Sequence, residues 1–210
     1  MTIQKVMVIG AGQMGSGIAQ VCAQAGFDVK LNDMKQEFFE RGLGVITKNL
    51  SRDVEKGRKT EEEKQAILSR ITMSLELQDA ADVDIVIEAA VENMEIKQSI
   101  FKQLDEIAPK HAILATNTSS LPITEIAAVT NRPQQVIGMH FMNPVPVMKL
   151  VEIIRGLATT DEVYKAVEEM TRKLDKTPVE VNDFPGFVSN RILLPMINEA
   201  IYTLYEGVAT

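Results

Sequence analysis

Residues 4–17 read QKVMVIGAGQMGSG. Lys5 to Ile9 is a short apolar β-strand, and it runs directly into Gly10-Ala11-Gly12-Gln13-Met14-Gly15. From Met14 to about Gly26 the pattern turns helical. A G-x-G-x-x-G segment with a strand before it and a helix after it is the turn that cradles a dinucleotide pyrophosphate. Gly10 permits the tight turn, Gly12 leaves the backbone bare for phosphate, and Gly15 lets the helix close on the strand. The free N–H groups of the first helical turn, with the positive end of the helix dipole, then face the anion. Ala11, Gln13 and Met14 complete the expected cofactor turn.

The glycines alone are a weak signal, and Asp33 strengthens them. Asp28 to Asn32, DVKLN, reads as a second strand with Asp33 at its end, eighteen residues beyond Gly15. That is close to the roughly 20-residue spacing of the acid that binds the adenosine ribose. A carboxylate there repels a 2′-phosphate, so NAD is favoured over NADP, with Lys35 pulling slightly the other way. The alternative is a tight turn beside a surface aspartate; strand, glycines, helix and acid standing in register favour the cofactor.

The chain has 210 residues, 45% of them apolar and 24% charged, which suits one large domain or one domain and part of another. A net charge of −7 argues against nucleic acid or an anionic membrane as the main partner. The single cysteine, Cys22, excludes an internal disulfide and falls within the first helix as small core packing. Strand one begins almost at the N-terminus, which leaves no room for a signal peptide, and no apolar run approaches the ~18 residues of a membrane span. The expectation is a cytoplasmic enzyme.

Beyond Asp33 a polar helical region runs from about Gln36 to Ser69, broken near Lys56-Gly57-Arg58-Lys59, where Thr60 and Glu63 form a capping-box pattern. Leu43, Ile46, Leu50 and Val54 recur at helical spacing, which predicts a helical hairpin with one buried face. Its turn carries Lys56, Arg58 and Lys59, either a solvated turn or a docking point for a phosphate-bearing substrate tail. Further strands are expected at Ile71–Leu75, Val83–Ile87, Ala112–Ala115, Val136–Phe141, Lys149–Ile154 and Val179–Val181. Helices are expected at Glu95–Ile107, after Pro122, and at Asp161–Leu174. This alternation describes an α/β fold, a doubly wound and mostly parallel Rossmann-type sheet over residues 1–184. From Pro185 the character changes. Phe187 to Tyr205 reads as a long apolar helix containing Pro195, the start of an all-helical second domain at 185–210 whose remainder is expected to be missing.

Asn117, Ser119, His140, Asn143 and Glu152 fall at or just after strand ends, and Asn190 begins the late helix. If Val136–Phe141 and Lys149–Ile154 form an antiparallel hairpin centred near Pro146, residues 140 and 152 lie opposite each other. A carboxylate bonded to one ring nitrogen fixes the tautomer and leaves the other nitrogen as a general base. Pattern alone leaves two readings level: that pair, or a satisfied histidine capping a strand beside a surface glutamate. No metal is expected, because His140 has no second histidine at ligand spacing and the cysteine stands alone. Ser119 lies outside any G-x-S-x-G elbow, so a serine hydrolase is disfavoured.

GAGQMGSGIAQ, VIEAAVENMEIK, ATNTSSL, GMHFMNPVPVMKLVEII and PGFVSNRIL occur in this order and span essentially the whole chain. Together they resemble the short-chain L-3-hydroxyacyl-CoA dehydrogenases, with the bacterial 3-hydroxybutyryl-CoA dehydrogenases the nearest group. The resemblance implies NAD(P)-linked interconversion of a 3-hydroxyacyl-CoA and a 3-ketoacyl-CoA. It implies His140 as general base, Glu152 as its paired carboxylate, and Ser119 and Asn190 as the residues that bind the reacting oxygen. It implies Glu92, Lys97 and Asn143 as cofactor contacts, Asn117 beside the nicotinamide pocket, and Lys56 near the CoA tail. It further implies a homodimer in a longer chain. Met142 stands where the family more often has phenylalanine, a volume-tolerant apolar exchange. Two alternatives stay open: a non-catalytic dinucleotide-binding module, or a related dehydrogenase of free hydroxy acids.

Overall fold

A computed structural model of the chain describes residues 2–210. Eight strands form one sheet: β1 (Lys5–Ile9), β2 (Asp28–Asn32), β3 (Ile71–Ser74), β4 (Ile85–Glu88), β5 (Ile113–Thr116), β6 (Val136–Phe141), β7 (Leu150–Arg155) and β8 (Thr177–Asn182). Their order is β3-β2-β1-β4-β5-β6-β7-β8. Every neighbouring pair is parallel except β6 and β7. The order reverses direction between β1 and β4, and a doubly wound sheet opens its ligand crevice at that switch point, outside the carboxyl ends of the strands.

The helices are α1 (Gln13–Gln24), α2 (Gln36–Glu55), α3 (Glu61–Ser69), α4 (Met94–Ile107), α5 (Ile123–Ala127), α6 (Asp161–Lys173) and α7 (Ser189–Tyr205). Period-two alternation gives the sheet two apolar faces. Val6 and Val8 join Ile18 and Cys22 of α1, Ile46 and Leu50 of α2 and Val167 of α6 in one core. Met7 and Ile9 turn to the other, with Phe101 and Leu104 of α4 and Ile126 of α5. The hairpin α2–α3 is closed by the expected capping box, in which Thr60 Oγ1 accepts from Glu63 N–H and the Glu63 carboxylate accepts from Thr60 N–H.

Several boundaries depart from expectation. β4 starts at Ile85 because the Asp84 carboxylate turns back to accept the N–H groups of Gln4 and Lys5, and the strand runs on through the fully buried Glu88. A 3₁₀ segment at Leu77–Asp82 was not foreseen. β8 is longer than expected, and as the last strand of the sheet it tolerates Pro178. The late helix starts at Ser189 rather than Phe187. Gly186 (φ +79°) turns the chain, and Phe187 drops into the core instead. No residue of α7 is buried, and Ile192, Leu194, Met196, Ile201 and Leu204 face outward. Among the described residues no helix is long and apolar enough to cross a membrane.

Candidate active site

The glycine turn is built as its spacing demands. Gly10 has φ +96°, and a Cβ there would come within 2.7 Å of the Ala89 carbonyl oxygen. A Cβ on Gly15 would collide with the carbonyl oxygen of Gly10. Gly12 differs: a Cβ on it would meet no protein atom within 4 Å, so the space over it is open. No side chain caps α1, and its first turn, Gln13 to Met14 onward, carries no acid. Bare backbone at a helix N-terminus free of negative charge suits a pyrophosphate. Asp33 stands beside it, its carboxylate accepting from the N–H groups of Ala11 at 2.7 Å and Met34 at 2.8 Å. Between this turn and Ala89–Val91 lies a mainly apolar cleft of about 710 Å³, lined also by Phe38, Leu75 and Ile96. The residues present fit an NAD molecule: an apolar slot for the adenine, an acid for the ribose and an open turn for the phosphates.

The hairpin register is as the sequence spacing requires, with His140 opposite Glu152. His140 Nδ1 lies 2.8 Å from Glu152 Oε2. Both residues are buried, His140 at 7% exposure and Glu152 at 1%. The other carboxylate oxygen, Oε1, accepts from the backbone N–H groups of Val188 (3.1 Å) and Ser189 (2.9 Å) at the start of α7. Burial works to raise the Glu152 pKa, but the bonds from His140 and Ser189 outweigh it, and the carboxyl is held below the ordinary carboxylate range. An ionised carboxylate only accepts, so Nδ1 carries a proton toward Glu152, and in the neutral imidazole Nε2 is the atom with the lone pair. The Phe187 ring packs at 5.7 Å from the imidazole, centroid to centroid.

The other polar candidates tie together the segments that flank this pair. Asn190 Nδ2 donates to the Ser119 carbonyl at 3.2 Å, which joins α7 to the loop after β5. Asn117 Oδ1 accepts from Phe141 N–H at 2.9 Å, tying the ends of β5 and β6 together. Asn143 Oδ1 accepts from Gln13 Nε2 at 3.1 Å, so the β6–β7 turn rests on the start of α1. The buried Lys176 ammonium donates to the carbonyls of Val145 and Met148 and holds that turn from below. Glu92 Oε1 accepts from Thr118 Oγ1, Ser119 N–H and Oγ, and Ser120 N–H and Oγ, between 2.6 and 3.2 Å. Burial opposes its charge, yet those donors and Lys97 keep it below the ordinary carboxylate range.

Of the two remaining expected residues, Lys97 lies buried behind Glu92 and only Lys56 stands apart. Lys97 is 1% exposed, with its ammonium 2.7 Å from Glu88 Oε1 and 3.6 Å from Glu92 Oε2. Lys56 is the exposed C-cap of α2 at the tip of the helical hairpin. Sequence reasoning missed Glu88, Phe187 and Asp183. The last caps α5 by accepting from the N–H groups of Ile123 and Thr124. Glu88 left a trace, a carboxylate closing the apolar run DVDIVIE at the switch point. Phe187 left none, because its place depends on how the linker folds back. The Cys22 thiol is raised to about 12 by burial and is inert as a nucleophile. No cluster of metal-ligating side chains occurs among the described residues.

The family described as 3-hydroxyacyl-CoA dehydrogenase, NAD binding domain, matches residues 5–184. The chain belongs to the 3-hydroxyacyl-CoA dehydrogenases. It is 64% identical to a probable 3-hydroxybutyryl-CoA dehydrogenase of Bacillus subtilis, an alignment covering 100% of this chain and 73% of the relative. It is 56% identical to a 3-hydroxybutyryl-CoA dehydrogenase of Bradyrhizobium diazoefficiens, over 98% of this chain and 70% of the relative. The crystal structure of (S)-3-hydroxybutyryl-CoA dehydrogenase from Ralstonia eutropha superposes with a TM-score of 0.97 at 48% identity, covering 100% of this chain and 74% of that one. This 3-hydroxyacyl-CoA dehydrogenase chain thus spans about three quarters of the length of those relatives. The matched family ends at residue 184, two residues past β8.

Proposed function

We propose that the chain interconverts a 3-hydroxyacyl-CoA and a 3-ketoacyl-CoA with NAD, and that its substrate pair is (S)-3-hydroxybutyryl-CoA and acetoacetyl-CoA. The observation that carries the reading is the buried 2.8 Å contact between His140 Nδ1 and Glu152, which leaves Nε2 as the basic atom. NAD held by the Gly10–Gly15 turn and Asp33 would supply the hydride chemistry at C3 of the acyl chain. His140 Nε2 takes the hydroxyl proton in oxidation and returns it to the carbonyl oxygen in reduction. Glu152 stabilises the imidazolium formed in the first direction. Ser119 and Asn190 hold the reacting oxygen. Glu92, Lys97, Asn117 and Asn143 shape the nicotinamide end of the cleft, and Lys56 offers a cation to the phosphates of the CoA tail.

The helix α7 is read as the first element of a helical second domain beginning at residue 185, and its outward apolar side chains support a homodimer. The net charge of −7 and a single buried thiol suit a cytoplasmic enzyme with no nucleic-acid or membrane partner. The test is NADH oxidation with acetoacetyl-CoA compared with free acetoacetate. Turnover with the thioester at a kcat/KM at least about 100-fold higher is expected. Equal turnover of the free acid would assign the chain to hydroxy-acid dehydrogenases, and NADH binding without turnover of either would make it a binding module.

A further inference from the structure

Glu88 closes β4 at the switch point and is fully buried. Its side chain fastens three segments at once. Oε1 accepts from Ala90 N–H at 2.6 Å and from Lys97 Nζ at 2.7 Å, and Oε2 accepts from Thr116 Oγ1 at 2.7 Å. Thr116 Oγ1 in turn accepts from Thr118 N–H at 3.2 Å, and the Glu88 carbonyl accepts from Asn117 N–H at 2.7 Å. Lys97 Nζ also lies 3.4 Å from the Ala90 carbonyl and 3.6 Å from Glu92. Glu92 carries the next step by gathering the donors of Thr118, Ser119 and Ser120 on one oxygen. The carbonyl of Ala89, at the root of this loop, occupies the space that a Cβ on Gly10 would need. The path is therefore continuous from the glycine turn, through Glu88 and Lys97, to the hydroxyl of Ser119.

A buried Lys–Glu pair is costly to desolvate, and apolar residues of similar volume often stabilise a core as well. Its geometry here does something apolar packing does not. Glu88 takes most of the Lys97 charge at 2.7 Å and leaves Glu92, at 3.6 Å, free to hold the Ser119 loop. Without Glu88 the nearest carboxylate for the Lys97 ammonium is Glu92. Drawing Glu92 toward Lys97 would release the loop that presents Ser119.

We propose that Glu88 is a positioning residue for hydride transfer, acting through Lys97 and Glu92 on the Ser119 hydroxyl. This rests on the reading of His140 and Ser119 as the reacting site. The experiment uses the full chain and four variants: Glu88→Gln, Glu88→Gln with Lys97→Met, Thr116→Val, and His140→Gln as reference. The paired variant removes both charges, so no unpaired ion remains buried and folding is separated from positioning. The readouts are thermal midpoint, ADP-ribose binding, kcat with acetoacetyl-CoA, and the isotope effect with 4-deuterated NADH. ADP-ribose reports only the glycine-turn half of the cleft.

Glu88→Gln is expected to bind ADP-ribose within about twofold of the parent while kcat falls about 30-fold or more and the isotope effect on kcat rises, and adding Lys97→Met, which removes the charge that draws Glu92 away, is expected to regain a severalfold part of that loss. Thr116→Val keeps both charges but removes the donor to Glu88 Oε2, and is expected to lower kcat several-fold together with a lowered midpoint. A paired variant no faster than Glu88→Gln, or parental kcat and isotope effect in a folded Glu88→Gln, would overturn the proposal. If that variant does not fold, parental kcat in Thr116→Val overturns it. Loss of activity in His140→Gln beside parental rates in these variants removes only the role of Glu88. Parental turnover in His140→Gln removes the reading of the site itself.

Discussion

Glu152 Oε1 accepts the backbone N–H of Ser189 at 2.9 Å, so the carboxylate that braces His140 also anchors the first turn of α7. One residue on the antiparallel strand thus links the imidazole to the helix that carries Asn190, and the positive end of that helix faces the charge. The same link makes the docking of α7 depend on the ionisation of Glu152.

The first prediction follows from that dependence. The Glu152 pKa is lowered in the folded chain, so its ionised form stabilises the fold above the ordinary carboxylate range. That contribution fades as the pH falls through the lowered value. Glu152→Gln should cost about 2 kcal/mol near neutral pH, the scale of a buried hydrogen bond to a charged group. The deficit should shrink as the pH is brought below the carboxylate range. Urea unfolding at both pH values measures it, and a deficit that grows in acid would contradict the assignment.

Two glycines of the same turn should behave differently. Gly12→Ala places a Cβ in open space, so the thermal midpoint should hold while NADH affinity drops about tenfold, some 1.4 kcal/mol. Gly15→Ala drives a Cβ into the Gly10 carbonyl and should destabilise the fold by about 3 kcal/mol. Calorimetric titration with NADH and thermal scans separate the two. Equal midpoints for both variants would mean that the turn relaxes more easily than its packing implies.

Much of this was legible in the sequence because it lies in local patterns. The glycine spacing, the acid at residue 33 and the symmetry of 140 and 152 about Pro146 each depend on short stretches whose geometry is dictated by period and turn chemistry. A charge at a strand end reads as solvated, so the sequence does not single out Glu88, and only its enclosure by Lys97, Thr116 and Ala90 shows its place. Phe187 reads as helix in the sequence because its apolar neighbours continue the pattern. Gly186 ends that continuity, and the contact with His140 spans 47 residues of chain that no local rule relates. The Val188 and Ser189 N–H groups on Glu152 escape for the same reason.

Asp33 should govern the choice between cofactors. Asp33→Asn keeps an acceptor for the Ala11 N–H but removes the charge that repels a 2′-phosphate. The ratio of kcat/KM for NADPH over NADH should rise about tenfold or more, on the scale of 1.4 kcal/mol per decade. An unchanged ratio would move the discrimination elsewhere, with Arg41 at the cleft margin the next residue to test.

The outward side chains of α7, including Ile192 (63% exposed), Leu194 (59%) and Ile201 (61%), form an apolar face of the kind rarely left in water. Light scattering should therefore report a mass above the 23.2 kDa of one chain. Ile192→Glu with Ile201→Glu should shift the population toward monomer. A monodisperse monomer in the parent chain would contradict this.

The most direct test of the account is the acetoacetyl-CoA-dependent oxidation of NADH by His140→Gln. If Nε2 of His140 carries the proton, turnover should fall about 100- to 10,000-fold, the usual worth of a positioned acid–base group, with NADH affinity within about twofold of the parent. A variant that turns over acetoacetyl-CoA at the parental rate would show that the proton travels by another group.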